Sequence, residues 1–86
     1  MEEEGVRVEQ RIRIPVRNRG PSNLVVVVEP WANEIDLAPG EDGEVVLIGH
    51  SALPNHSVEW CAYGLIITAE GGTDGSELYK GGERRG

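Results

Sequence analysis

Three features of the sequence predict an all-β fold, an antiparallel two-sheet β-sandwich of about seven short strands. The longest stretch without Gly or Pro is nine residues, shorter than the ordinary helix of about 11–12. Val and Ile together number 16, Gly numbers 12 and Phe is absent, a composition suited to pleated strands and tight turns. Turn signals also recur roughly every 8–12 residues, the spacing of a sandwich. A small β-barrel satisfies the same alternation and is the alternative.

The elements follow in order. From Val6 to Arg17, Val6, Val8, Ile12, Ile14 and Val16 share one parity, and Arg7, Glu9, Arg11, Arg13 and Arg17 share the other. This is the pattern of a long, half-buried strand. Pro15 falls on its polar face and cannot donate to a ladder, which places the strand at an edge or at a bend between sheets. Asn18-Arg19-Gly20-Pro21-Ser22-Asn23 is a dense turn signal. Leu24 to Glu29 is apolar on both parities, as expected of a central strand, and Pro30 ends it. Ile35-Asp36-Leu37 is a short strand, and Ala38-Pro39-Gly40-Glu41-Asp42-Gly43 turns the chain into a second doubly apolar strand, Glu44 to Gly49. Beyond the loop at 50–55, Val58, Trp60 and Ala62 alternate with Glu59, Cys61 and Tyr63. Gly64 permits a bend before Leu65 to Ala69, and Glu77-Leu78-Tyr79 is a last strand. No helical segment is present to carry a crossover, so parallel pairs are not expected. The expected core includes Val8, Ile12, Ile14, Val26, Val28, Val46, Ile48, Trp60 and Ile66.

At 86 residues a single core is expected, burying roughly 60–65% of the unfolded chain's surface. The organisation is an acidic segment at 1–5, one domain at 6–80 and a mobile tail at 81–86. No apolar run approaches the roughly 20 residues of a membrane-spanning helix. Met1-Glu2-Glu3-Glu4 is acidic where a signal peptide is basic and then apolar, so a cytoplasmic chain is expected. The single cysteine, Cys61, forms no internal disulfide and reads as a small, unreactive strand hydrophobe.

The segments Val-Arg-Asn-Arg-Gly at 16–20, Val-Val-Val-Glu-Pro-Trp at 26–31 and Leu-Ala-Pro-Gly-Glu at 37–41 resemble a pattern in small bacterial β-sandwich domains with cupredoxin-like or immunoglobulin-like folds. The resemblance covers the first half of the chain. It implies a fold and carries no activity and no catalytic residues.

A cupredoxin-like fold raises the question of metal. Blue copper needs two His, a Cys and a weak axial ligand. His50, His56 and Cys61 are present, but the only Met is Met1, and Cys61 lies inside a strand. These three residues belong to an alternative reading as a small-ligand or metal-binding domain. The leading expectation requires no cofactor. Catalysis is not expected either: there is no Gly-x-Ser-x-Gly elbow, and the phosphate-binding glycine motifs are absent.

The charge layout is more informative than the net −7. Residues 5 to 20 hold five Arg and one Glu, while residues 21 to 79 hold ten acidic residues and no Lys or Arg. The Arg row has a bland explanation in cross-strand pairing and another in edge protection. Its functional explanation is an anionic partner. The acidic surroundings would repel nucleic acid, which leaves an acidic protein surface, including a second copy of this chain. We therefore expect a non-enzymatic protein-interaction or assembly module, a possible homodimer, using Arg7, Arg11, Arg13, Arg17 and Trp31. Trp31 is included because Trp is enriched at interface hot spots.

Overall fold

Strict alternation from Gln10 to Arg17 yields β1 (Gln10–Arg17), with Ile12, Ile14 and Val16 turned inward and the Arg side chains outward. The computed structural model describes residues 8–50 and 53–86. The remaining described strands are β2 (Leu24–Glu29), β3 (Asn33–Leu37), β4 (Asp42–Gly49), β5 (His56–Cys61), β6 (Gly64–Ala69), β7 (Gly75–Lys80) and β8 (Glu83–Arg84). They form two separate four-stranded sheets, β1-β4-β7-β8 and β3-β2-β6-β5. The arrangement is a two-sheet sandwich with free edges rather than a closed barrel.

The doubly apolar strands β2 and β4 occupy interior positions in their sheets, as their sequences require, and β1 with Pro15 is an edge. Val26, Val28, Val45, Leu47, Ile67 and Leu78 form the centre of the core at 1% exposure or less. Each fully buried side chain of this size contributes about 1.5–3 kcal/mol.

The connections β1–β2 and β3–β4 both cross between the sheets and meet at Asn18. Its Nδ2 donates to Ser22 O and Leu37 O, both at 2.8 Å, and its Oδ1 accepts from Gly20 N at 2.9 Å. Its backbone N–H donates to Glu41 O at 3.1 Å, and its carbonyl accepts from Gly40 N at 2.8 Å. Asn18 is buried, and every polar group it brings inside has a partner, as a buried amide requires.

Four expectations are corrected. First, the strands among the described residues number eight, not about seven. The 81–86 segment is not a bare tail: Gly81 and Gly82, both at positive φ, turn the chain so that β8 pairs with β7, and Arg85 N donates to Leu78 O. Second, β2 and β6 are parallel. No helix is needed, because the crossover between them runs through β3, β4 and β5 and visits the other sheet on the way. Third, Val8 and Trp60 are not core, being 68% and 72% exposed. Fourth, Ile48 and Ile66, half-buried, lie on the outer faces beside Arg11 and Glu59 rather than in the core, while Ile12 and Ile14 are half-buried on the core side, Ile14 packed against the core.

The parallel pair also explains Gly64. A Cβ built there would collide with the Val25 backbone carbonyl oxygen, so the strands approach more closely than any side chain permits. Gly64→Ala should therefore cost about 2–3 kcal/mol in urea denaturation. Gly71→Ala, which would meet nothing within 4 Å, should stay within about 0.5 kcal/mol of the wild type. Equal stabilities for the two variants would contradict the close approach.

Candidate functional site

Each face of β1 has a different fate. On the outer face, Arg11 Nη1 and Nη2 donate to Glu77 Oε1 and Oε2 at 3.0 and 3.5 Å, and Arg11 Nε also reaches Glu9. Arg13 Nη1 donates to Glu44 at 3.2 Å, and Arg17 lies 3.7 Å from Asp42. Glu77 is the centre of this cluster. It is only 8% exposed, accepts from Tyr79 Oη at 2.8 Å and pairs with Arg84 at 3.4 Å. Arg11, with Tyr79 second, holds the Glu77 carboxyl below the usual carboxylate range. In return Glu77 pushes the Tyr79 phenol up and raises the Arg11 guanidinium further above its already high value. The cluster spans the outer face around Val46, which is fully buried although it points away from the core. Arg11, Arg13 and Arg17 thus have acidic partners within their own sheet. Arg7 lies outside the described residues.

The edge of β1 is different. Asn18 N–H donates to Glu41 O, in line with the β1–β4 register. By antiparallel alternation the even residues of β1 therefore face β4, and Arg11, Arg13, Pro15 and Arg17 direct their backbone groups to the open edge. Pro15, lacking an N–H, fits that position.

Among the described residues the other open edge on this flank is β5, β8 and β3 being the edges of the far flank. Every residue between its two ends is exposed. Val58 pairs with Ile67 and Trp60 with Leu65, so Val58 and Trp60 share the core-facing side of the sheet with two buried residues. Ile67 and Leu65 are covered, whereas Val58 and Trp60 are 50% and 72% exposed. On the far flank β7 contacts β3. The sheets are therefore offset by about one strand, and β5 projects past the other sheet. Trp60 and residues 17–24 line a shallow groove at this flank. Ala62-Tyr63 closes the β5–β6 hairpin, and the Cys61–Gly64 pair at its neck makes the odd residues of β5 face β6. The backbone N–H groups of Val58 and Trp60 then face the open edge.

The other candidate residues are dispersed. Trp31 sits in the β2–β3 turn, after a cis Glu29–Pro30 bond, and is 38% exposed. His50 is tied to Asp74 through both its backbone N and its Nδ1, each 3.0 Å from Oδ2. His56 and Cys61 have opposite parity and so occupy opposite faces of β5. Among the described residues no group of three His, Cys, Asp or Glu side chains comes together to hold a metal. Cys61 is half-buried on the outer face, 3.5 Å from Gly64 O. The thiol pushes the pKa of the neighbouring Tyr63 phenol up, and Glu29 and Glu34 act in the same direction. No helix of the described chain is long and apolar enough to cross a membrane.

Comparison with known proteins returned no match to a family model, a characterised protein or a solved structure. The flank must therefore be read from its own chemistry. Sequence reasoning missed Val58 and Trp60 as surface residues, because alternation says which face a side chain takes and not whether the opposite sheet reaches it. It also missed Glu77, which lies 66 residues from Arg11.

The Glu77 cluster generates a pH prediction. A carboxyl whose folded pKa is depressed adds stability that is present above its unfolded value of about 4.3 and is lost as pH falls through the folded one. Wild type should exceed Glu77→Gln in denaturation midpoint at pH 7, and the gap should close below about pH 4. A gap unchanged down to pH 2 would contradict the assignment.

Proposed function

We propose that this chain is a non-enzymatic protein-interaction module that binds through the flank where β1 and β5 present their open edges. The observation that carries this reading is Trp60, 72% exposed on the core-facing side of a strand. A large aromatic with an apolar body and one N–H suits an interface anchor. Val58 lies two residues away on the same face, so the apolar surface is contiguous rather than a scattered single residue. The adjacent backbone groups offer the hydrogen bonds of strand addition.

The Arg row contributes less directly than expected. Its acidic partners within the sheet support a structural role for Arg11, whereas Arg13 and Arg17, with side chains 60% exposed, border the binding edge. Trp31 lies in the β2–β3 turn, away from the flank in chain order, and is retained only as a secondary contact. Glu41, Glu44, Asp42, Asp74 and Glu77 are engaged in turns and cross-strand pairs, which accords with a role other than acid–base catalysis.

A photo-crosslinking side chain at position 58 tests this. In extracts of the source cells it should form protein adducts that are lost in Trp60→Lys, while the same probe at exposed position 85 should not form them. No adduct at 58, or equal labelling at both positions, would contradict the reading.

A further inference from the structure

We propose that the partner at this flank is a second copy of the chain. The two copies would be related by a two-fold axis along the strands, so that β5 of each lies beside β1 of the other. The proposal rests on the flank being the binding surface and adds the identity of what binds there.

The first argument is shape. One sheet ends at β1 and the other continues to β5, so a step one strand wide is left open. A two-fold rotation about an axis along the strands turns this step into its own complement. The partner's β5 enters the position beside β1, above the first copy's β5, and the reverse occurs at the same time. The exposed faces of the two β5 strands, each with Val58 and Trp60, then pack against one another at sheet-to-sheet distance, roughly 10 Å between backbones. The half-buried Ile12 and Ile14 of β1 border the same apolar layer. The assembly joins into two continuous eight-stranded sheets, and both edges on this flank are used, so growth through this flank stops at two copies.

The second argument is charge, and it separates this pairing from the other ways of joining the same edges. Joining β1 to β1 would set one Arg row against another. Joining β5 to β5 edge to edge would bring Glu59 towards its own copy and leave Trp60 and Val58 uncovered. Joining β5 to β1 places Glu59, on the outer face of β5, beside the outer-face row of Arg11, Arg13 and Arg17. Arg13 and Arg17 each have an acidic neighbour on the β4 side, Glu44 and Asp42, and the open edge on the other. A guanidinium has five donors in a planar fork, so the intramolecular pair leaves capacity for a carboxylate arriving from β5.

The third argument is backbone pairing. Alternation directs the backbone groups of Val58 and Trp60 on β5, and of Arg11 and Arg13 on β1, to the open edges. Pro15 interrupts the donors of β1 beyond that point, which matches a pairing limited to a strand as short as β5.

The experiment is sedimentation equilibrium of the purified chain from micromolar to near-millimolar concentration, with charge-swap variants mixed. The wild type should form a dimer and nothing larger. Glu59→Arg alone should set one Arg against the Arg row of the other copy, and Arg13→Glu alone should place two acidic groups together. Each should dissociate at least about tenfold more readily than wild type. An equimolar mixture of the two variants should restore association to within about threefold of wild type, because each interface then carries opposite signs. Arg17→Glu replaces Arg13→Glu if the latter is unfolded by circular dichroism. A wild type that is monomeric throughout would overturn the proposal, as would a dimer indifferent to Glu59→Arg or a mixture that fails to associate. A monomeric wild type that still gives position-58 adducts with another protein would overturn this inference alone, whereas the absence of any adduct would also remove the reading on which it rests.

Discussion

The fold depends on a buried asparagine. Asn18 gathers the β1–β2 and β3–β4 crossovers into one hydrogen-bonded knot, with donors and acceptors from Gly20, Ser22, Leu37, Gly40 and Glu41. Two of the four passages between the sheets are fixed at that point, so the sheets cannot slide past one another there without leaving buried polar groups unpaired. Each such group would cost about 1–3 kcal/mol. A core of Val, Leu and Ile alone specifies apolar burial but not registry. Here the amide supplies the registry, and the offset between the sheets is held with it.

That offset links the fold to the proposed function. With β7 against β3, the four strands of one sheet do not cover the four of the other, and β5 is left over. Val58 and Trp60 are therefore exposed by the position of their strand and not by a defect in its apolar pattern. On the outer face of β1, by contrast, Arg11 and Glu77 complete their pairing within the molecule. The same strand thus has a satisfied face and an unsatisfied edge. This is the combination expected where a module must stay folded alone and still offer hydrogen bonds and apolar area to a partner.

Much of this was legible in the sequence. The alternation of β1, Pro15 as the mark of an edge or a bend, the interior positions of β2 and β4 and the turns at Asn18-Arg19-Gly20 and Pro39-Gly40 all follow from local chemistry, whereas that both turns cross between the sheets does not. What was not legible depends on contacts far along the chain. The parallel β2–β6 pair is set by the path of three intervening strands. β8 has no apolar signal and is made by the Gly81-Gly82 turn. Trp60 has the parity of a core residue, and only the three-dimensional offset shows that it stays largely exposed. The partner of Arg11 was likewise hidden, because Glu77 sits on a strand that reaches β1 only through β4.

The open edge of β5 is the centre of the account, and amide hydrogen exchange on the dilute chain examines it most directly. The backbone N–H groups of Ser57 and Glu59 face β6, while those of Val58 and Trp60 face the open edge. Residue-resolved exchange should show Ser57 and Glu59 protected and Val58 and Trp60 exchanging much faster, in alternation along one strand. Equal protection at all four amides in the dilute chain would mean that the edge is already covered, and would contradict the account.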